Sequence, residues 1–260
     1  MDTAPRPVRA VQGVLVGGAA VAIVLVLLDA AVTRVPWAPQ WRDADSMVRI
    51  YFDVAREQNL PTWVNVCLLA LAGAIAGVVA ALAGAARDRS AIPWAVFALT
   101  CLALSLDDMT ALHERLDAVG RGLGGGSGLT YAAWVIPGLV VAVLVVLAVV
   151  VLVRRTSRPT RRLLVAGLSC LLAGAFGLES LGNAVLESEG FGRSYAWFVA
   201  AEELLETLGA VLLLAGALSG VRIEPTGDGV HVRFRTMQRV RPPGSRGRWP
   251  AGRISGPSSH

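Results

Sequence analysis

YAAWVIPGLVVAVLVVLAVVVLV, residues 131–153, runs for 23 positions without a charged side chain. The hydrocarbon core of a bilayer is crossed by a helix of about 20 predominantly apolar residues. A helix apolar on every side needs an apolar surrounding on every side, and lipid supplies one. Pro137 lacks a backbone donor and is placed to kink this span.

Blocks of the same kind flank it at residues 11–32, 62–85, 92–113, 162–183 and 196–219. Together the six predict an all-α, polytopic six-helix transmembrane bundle over residues 11–220, preceded by a short segment of residues 1–10. Composition agrees: 54% of the chain is hydrophobic and the mean hydropathy is +0.57, against roughly 45–50% apolar for soluble domains. Little chain remains for a soluble domain, and no internal repeat stands out. The first block follows Arg6 and Arg9 as a signal peptide would. Its apolar core exceeds the ~7–15 residues of a signal sequence, so it is read as an uncleaved helix. Cys67, Cys101 and Cys170 lie in separate apolar blocks without metal-type spacing and read as small buried residues.

Every one of the 24 basic residues is an arginine, which suggests GC-rich coding and a bacterial origin. The arginines sit beside the apolar blocks: Arg6 and Arg9, then Arg87 and Arg89, then Arg154, Arg155, Arg158, Arg161 and Arg162, then eight in the tail after Gly220. These segments alternate as one side of a membrane must. The positive-inside rule makes that side the cytoplasm and places both termini there, in a bacterial cytoplasmic (inner) membrane. It also accounts for the net charge of +5 without a nucleic-acid partner. In the first outer loop Arg34, Arg42, Arg49 and Arg56 are balanced by Asp43, Asp45, Asp53 and Glu57. Within that loop residues 47–59 have the partial amphipathicity of a short interfacial helix. Trp37, Trp41, Trp63 and Trp197 fall near predicted outer boundaries, as an aromatic belt would. In the tail, residues 221–234 alternate around a Pro-Thr-Gly-Asp-Gly turn and read as a small hairpin. The rest is basic, rich in Pro, Gly and Ser, and expected to be flexible. Membrane lipids are the one partner these features imply.

Ionisable groups inside the spans are the functional signal. A carboxylate at a helix centre costs about 2.5–3.5 kcal/mol on the insertion scale and persists where it faces a bundle interior or a wet cavity. The third span ends LSLDDMTALHER (residues 104–115). If that helix continues at 100° per residue, Asp107 and Glu114 fall within about 20° of each other, with Thr110, His113 and Asp117 beside them. The fifth span carries Glu179 with Asn183 one turn later. The sixth carries Glu202, Glu203 and Glu206 on one arc, and Glu206 is the strongest single candidate because it lies nearest mid-membrane. Running in alternate directions, the three helices put these acids at one depth, in the outer half of the bilayer. One cluster of Asp107, His113, Glu114, Glu179, Glu202, Glu203 and Glu206 is the resulting expectation. Arg56 and Arg115 lie at a matching depth as charge partners. Six carboxylates cannot all ionise together in a low-dielectric site without a compensating cation. Carboxylate with imidazole suits Zn, Mn or Fe, and an all-oxygen site suits Mg or Ca. The plainer alternative leaves Asp107, Asp108, Glu114 and Asp117 solvated at a helix end, and Glu202 and Glu203 reaching the outer surface.

Strong motifs are absent. There is no HExxH, GxSxG or P-loop, and one histidine in the spans is too few for a di-iron bundle or a bis-histidine haem. LDDMTALHER (residues 106–115), YFDVAREQNLPTW (51–63), GLESLG (177–182) and EELLETLG (202–209) resemble, in the same order, segments of an uncharacterised family of bacterial, often actinobacterial, multi-pass membrane proteins. The resemblance covers about residues 50–220 and implies a fold without a reaction. Four functions fit: a divalent-metal or cation-binding membrane protein, a proton- or cation-coupled transporter, a membrane-embedded hydrolase or transferase at the outer leaflet, and a non-catalytic sensor or assembly protein. The sequence does not choose between enzyme and non-enzyme.

Overall fold

A computed structural model describes residues 6–234 apart from 33, 35, 37, 44, 227 and 228. Trp37 and the tail after Phe234 lie outside the described residues. The architecture follows from one helix. α9 (Arg193–Ser219) is flanked by α1 (Arg6–Val32), α3 (Leu60–Ala85) and α7 (Arg158–Leu172). Its C-terminal half is built of small and aliphatic residues, and Gly209, Ala210, Val211, Leu213, Leu214 and Ala217 are buried. Apolar helices gain little by leaving apolar lipid, so they associate through close backbone packing, which small residues permit. At the α7–α9 crossing, a Cβ on Gly209 would lie 2.9 Å from the Gly167 carbonyl oxygen and 2.9 Å from the Leu171 backbone nitrogen. Where the start of α7 meets the end of α9, the Ser219 hydroxyl donates to Thr160 Oγ1 at 2.8 Å, inside a buried contact.

α3 and α4 (Ala91–Thr110) form an antiparallel pair whose core holds Leu69, Ala72, Ala76, Val79, Trp94, Phe97 and Cys101. The thiols are free; Cys101 is buried and Cys67 and Cys170 are half-buried. α6 (Val135–Val153) packs mainly on α4 and α7. Its Leu139, Val140, Val143, Leu144 and Leu147 are each more than half exposed, an apolar outer face of the kind lipid covers. Short helices α2 (Met47–Phe52) and α5 (Asp117–Gly122) lie in connecting segments, and α8 (Glu179–Glu189) continues α7 through a π-helical stretch, Ala173–Leu178. After α9 the chain forms an antiparallel hairpin, β1 (Val221–Thr226) with β2 (Gly229–Phe234), in which Val221 faces Phe234 and Ile223 faces Val232.

Among the described residues, five helical segments are long and apolar enough to cross a membrane: Arg9–Val32, Leu60–Ala85, Ala91–Thr110, Val135–Val153 and Arg158–Glu189. The chain is thus a helical protein of multi-pass membrane type. α9 matches them in length at 27 residues but carries Glu202, Glu203 and Glu206, so it falls outside a count made by length and composition.

Several boundaries differ from those expected. The fourth helix starts at Val135, which puts Pro137 in its first turn, where a missing N–H breaks no helical bond; the expected kink has no cause there. The fifth segment runs on past Asn183 to Glu189. The outer helix predicted over residues 47–59 stops at Phe52, because the Asp53 carboxylate takes the Ala55 N–H at 3.1 Å and holds Arg49 and Arg56 at 3.4 Å. Asn59 then starts α3. Its Oδ1 accepts the Thr62 N–H at 3.3 Å while its Nδ2 donates to the Asp53 carbonyl at 2.6 Å. Asn59→Ala removes both and should cost about 1–2 kcal/mol, read as a lowered unfolding midpoint of the purified protein.

Candidate functional site

The third helix does not continue through His113. Ala111 adopts a left-handed conformation (φ 49°, ψ 43°) and α4 ends at Thr110. The cause is Asp107. Its side chain folds over the helix end, where Oδ1 accepts the His113 backbone N–H at 2.8 Å and Oδ2 meets His113 Nδ1 at 3.1 Å. The expectation that Asp107 and Glu114 share one helical stripe is therefore corrected, since the chain turns between them.

That turn drives His113 into a cavity of about 550 Å³ opened among α3, α4, α6, the α7–α8 segment and α9. Eight carboxyl side chains line it: Glu57, Asp107, Asp108, Glu114, Glu179, Glu202, Glu203 and Glu206. Arg56 and His113 are the cationic or ionisable-base groups in the lining. Arg115, expected as a second charge partner, is exposed and outside the lining; the turn at Ala111 points its stretch of chain outward. Arg56 lines the cavity and pairs with Asp53 at 3.4 Å.

One end of the cavity brings three ligands of two types together. One ligand atom each from Glu57, His113 and Glu114 lies within 4.8 Å of the others. His113 Nε2 is 3.8 Å from Glu57 Oε1. Two nitrogen or oxygen ligands of a tetrahedral ion at ~2.1 Å stand about 3.4 Å apart, so a small inward movement closes this pair on an ion. Asp107 fixes the tautomer: with Nδ1–H donated to its carboxylate, the Nε2 lone pair faces Glu57. This is the carboxylate–histidine–metal arrangement seen in metal sites generally. The second Glu57 oxygen, Oε2, is buried and without a hydrogen-bond partner among the described residues.

Electrostatics fit a cation here. Burial pushes the Glu57 carboxyl up to about 7; the nearby His113 pulls it back, and Glu114, Asp108 and Asp107 push it further up. Burial alone would lower the His113 pKa, but the Asp107 hydrogen bond and charge, with Glu57 and Glu179, outweigh it and raise it above 6.5. The imidazole sits among carboxylates that favour positive charge at this point, whether a proton or a metal ion carries it.

Deeper in, Trp134 Nε1 donates to Glu179 Oε1 at 2.9 Å. The Trp134 ring stacks between His113 (centroids 4.7 Å) and Phe176 (5.4 Å). Asn65 Nδ2 donates to Asp108 Oδ2 at 3.1 Å, tying α3 to α4. Glu206 fits against α7–α8 because position 174 is glycine: a Cβ there would lie 2.6 Å from Glu206 Cγ. The π-helical stretch Ala173–Leu178 holds this contact, and such wide turns recur at functional sites.

Glu57, Asp108, Asn65 and Trp134 line the cavity but were not among the sequence candidates. Glu57 reads as one of four balancing acids in a loop, and its place depends on the turn after Asp53. Asp108 reads as solvated. Asn65 is visible as a lone amide in an apolar block, a signal that could have found it. Trp134 is visible as the polar-tipped aromatic at the start of the uncharged block.

One protein-family model, described as "Domain of unknown function (DUF8692)", matches residues 18–221, a stretch that takes in every lining residue. No curated protein and no solved structure matches the chain.

Proposed function

Because the chain belongs to the family described as a domain of unknown function, DUF8692, we propose its function from the cavity: it is a multi-pass membrane protein that binds a divalent metal ion through Glu57, His113 and Glu114. The observation that carries this reading is the oriented His113 imidazole, held by Asp107 on one nitrogen and facing Glu57 with the other. One imidazole with two carboxylates suits Zn, Mn or Fe better than Mg, which prefers oxygen alone. Three protein ligands leave a position for water or substrate. A hydrolase or transferase acting at the outer leaflet would use that position, with the ion supplying Lewis acidity.

In this reading α9 is the sixth span. Its position between α1, α3 and α7 supports that, as does the inward placement of its three glutamates. Both termini then lie on the arginine-rich side, the cytoplasm of a bacterium, and the cavity lies towards the outside.

The test is elemental analysis of protein purified without chelator, followed by titration of the stripped protein with Mn²⁺ and Zn²⁺. One ion bound per chain is the expected result. Protein that is metal-free and takes up neither ion would remove the proposal. Binding must also compete with protons on Glu57 and His113, both of which hold protons more tightly than usual. Metal affinity should therefore fall as pH is lowered through about 7 and level off above it, measured as apparent Kd across a pH series.

A further inference from the structure

We propose that the deeper part of the cavity binds a second, different ligand: an organic ammonium ion carrying an apolar group. The inference goes beyond the metal reading and shares only the cavity with it. Glu179, Glu202, Glu203 and Glu206 all line this space. Yet among the described residues only Glu57, His113 and Glu114 bring three ligand atoms within reach of a single ion. The deeper carboxylates are spread too widely for one bare metal and suit something larger.

Their partners are missing in a consistent way. Among the described residues, no hydrogen bond or ion pair engages the carboxyls of Glu202, Glu203 or Glu206. Asn65, in the same lining, is more than nine-tenths buried at 9% exposure. Its Nδ2 is committed to Asp108, and its Oδ1 is buried with no partner. A carbonyl oxygen and several carboxylates all require a donor, and an ammonium group is a donor with the matching charge.

The remaining walls choose the rest of the molecule. Trp134 and Phe176, tilted at 57° to each other, line the space, and Tyr195 adds a third ring. Aromatic faces attract cations, most strongly when both are desolvated. Leu69, Val145 and Leu168 line the floor, where an alkyl chain gains and a hydrated ion does not. The whole cavity, with the Glu57–His113–Glu114 end included, measures about 550 Å³, within the range of small-molecule pockets, about 300–1,000 Å³.

The experiment is isothermal titration of the full chain, metal-stripped and in detergent micelles, with hexylammonium chloride, ammonium chloride and hexanol. Hexylammonium should bind saturably and at least about tenfold more tightly than either control. Glu203→Gln with Glu206→Gln should weaken it by at least about tenfold while leaving Mn²⁺ binding within about threefold. No saturable heat from hexylammonium, equal binding of hexanol, or unchanged affinity in the double variant would overturn the proposal. The ligand comparison needs only the wild-type protein, so a variant that fails to fold does not blunt the test. Wild-type protein that takes up metal but binds no hexylammonium counts against this inference alone; the reverse counts against the metal reading alone.

Discussion

His113→Ala is expected to cost more metal affinity than any other single change in the cavity, and Asp107→Asn, which touches no metal, is expected to cost about 10–100-fold. The first substitution removes the nitrogen ligand and leaves two carboxylates that retain weak affinity for hard cations only. The second keeps all three ligands. Asp107 accepts two donors at once, the His113 backbone N–H at 2.8 Å and its Nδ1–H at 3.1 Å. An asparagine has one acceptor oxygen and presents an NH₂ group where the other donor points. Either one of the two bonds breaks and the turn or the ring loosens, or the imidazole switches tautomer, accepts the amide N–H on Nδ1 and carries its own proton on Nε2, where the ion would bind. Titration of stripped protein with Mn²⁺ should rank wild type above Asp107→Asn and Asp107→Asn above His113→Ala. Glu202→Gln, whose carboxyl is not part of the metal group, should track wild type. Equal affinities across the series would mean that the imidazole is held by Asp107 for structural reasons and binds nothing.

The contrast between Asp107 and Glu206 explains what the sequence could and could not convey. Glu206 was legible because burying a carboxylate in an apolar helix is costly wherever the neighbours lie. Its depth follows from counting residues along α9. The same arithmetic singled out Glu179, Glu202 and Glu203, and all of them line the cavity. Asp107 was legible as a site residue for a mistaken reason. Helical periodicity put it on a stripe with Glu114, whereas its side chain ends the helix. Side chains of this type bond readily to nearby backbone in more than one way, and sequence spacing does not say which bond forms. Glu57 was hidden for a related reason. It sits in a loop whose path depends on Asp53 and Asn59 bonding each other's segment, and no periodicity governs such a path. Arg115 went the other way: it lies exposed and outside the lining, because one left-handed residue re-aims everything after it. Apolar blocks of spanning length were plain from composition, with α9 the difficult case. Its glutamates lower its apolar character for the same reason that they make it interesting.

Gly209→Val should abolish accumulation of folded protein, while Gly77→Val should leave it nearly unchanged. Both glycines lie inside long helices, so helix propensity and conformational entropy change similarly and the difference isolates packing. A Cβ at position 77 meets nothing within 4 Å. At position 209 it would lie 2.9 Å from the Gly167 oxygen, 2.9 Å from the Leu171 nitrogen and 3.0 Å from Leu171 Cβ. Two of these are backbone atoms of a helix, which cannot rotate away as a side-chain tip would. α7 and α9 must instead separate along the crossing. Overpacking usually costs about 1–3 kcal/mol, occasionally more, and a backbone-on-backbone contact belongs at the upper end. The check is the yield of monodisperse protein after detergent extraction, together with its thermal midpoint. The consequence reaches the cavity. Glu206 lies one turn before Gly209 on α9 and packs against Gly174, about two turns beyond Gly167 on the α7 side. Any substitution that widens the crossing therefore withdraws Glu206 from the wall. A milder Gly209→Ala protein that still folds should lose hexylammonium affinity before it loses Mn²⁺, because the metal ligands hang from Asp53, Asp107 and the turn at Ala111 and not from α9.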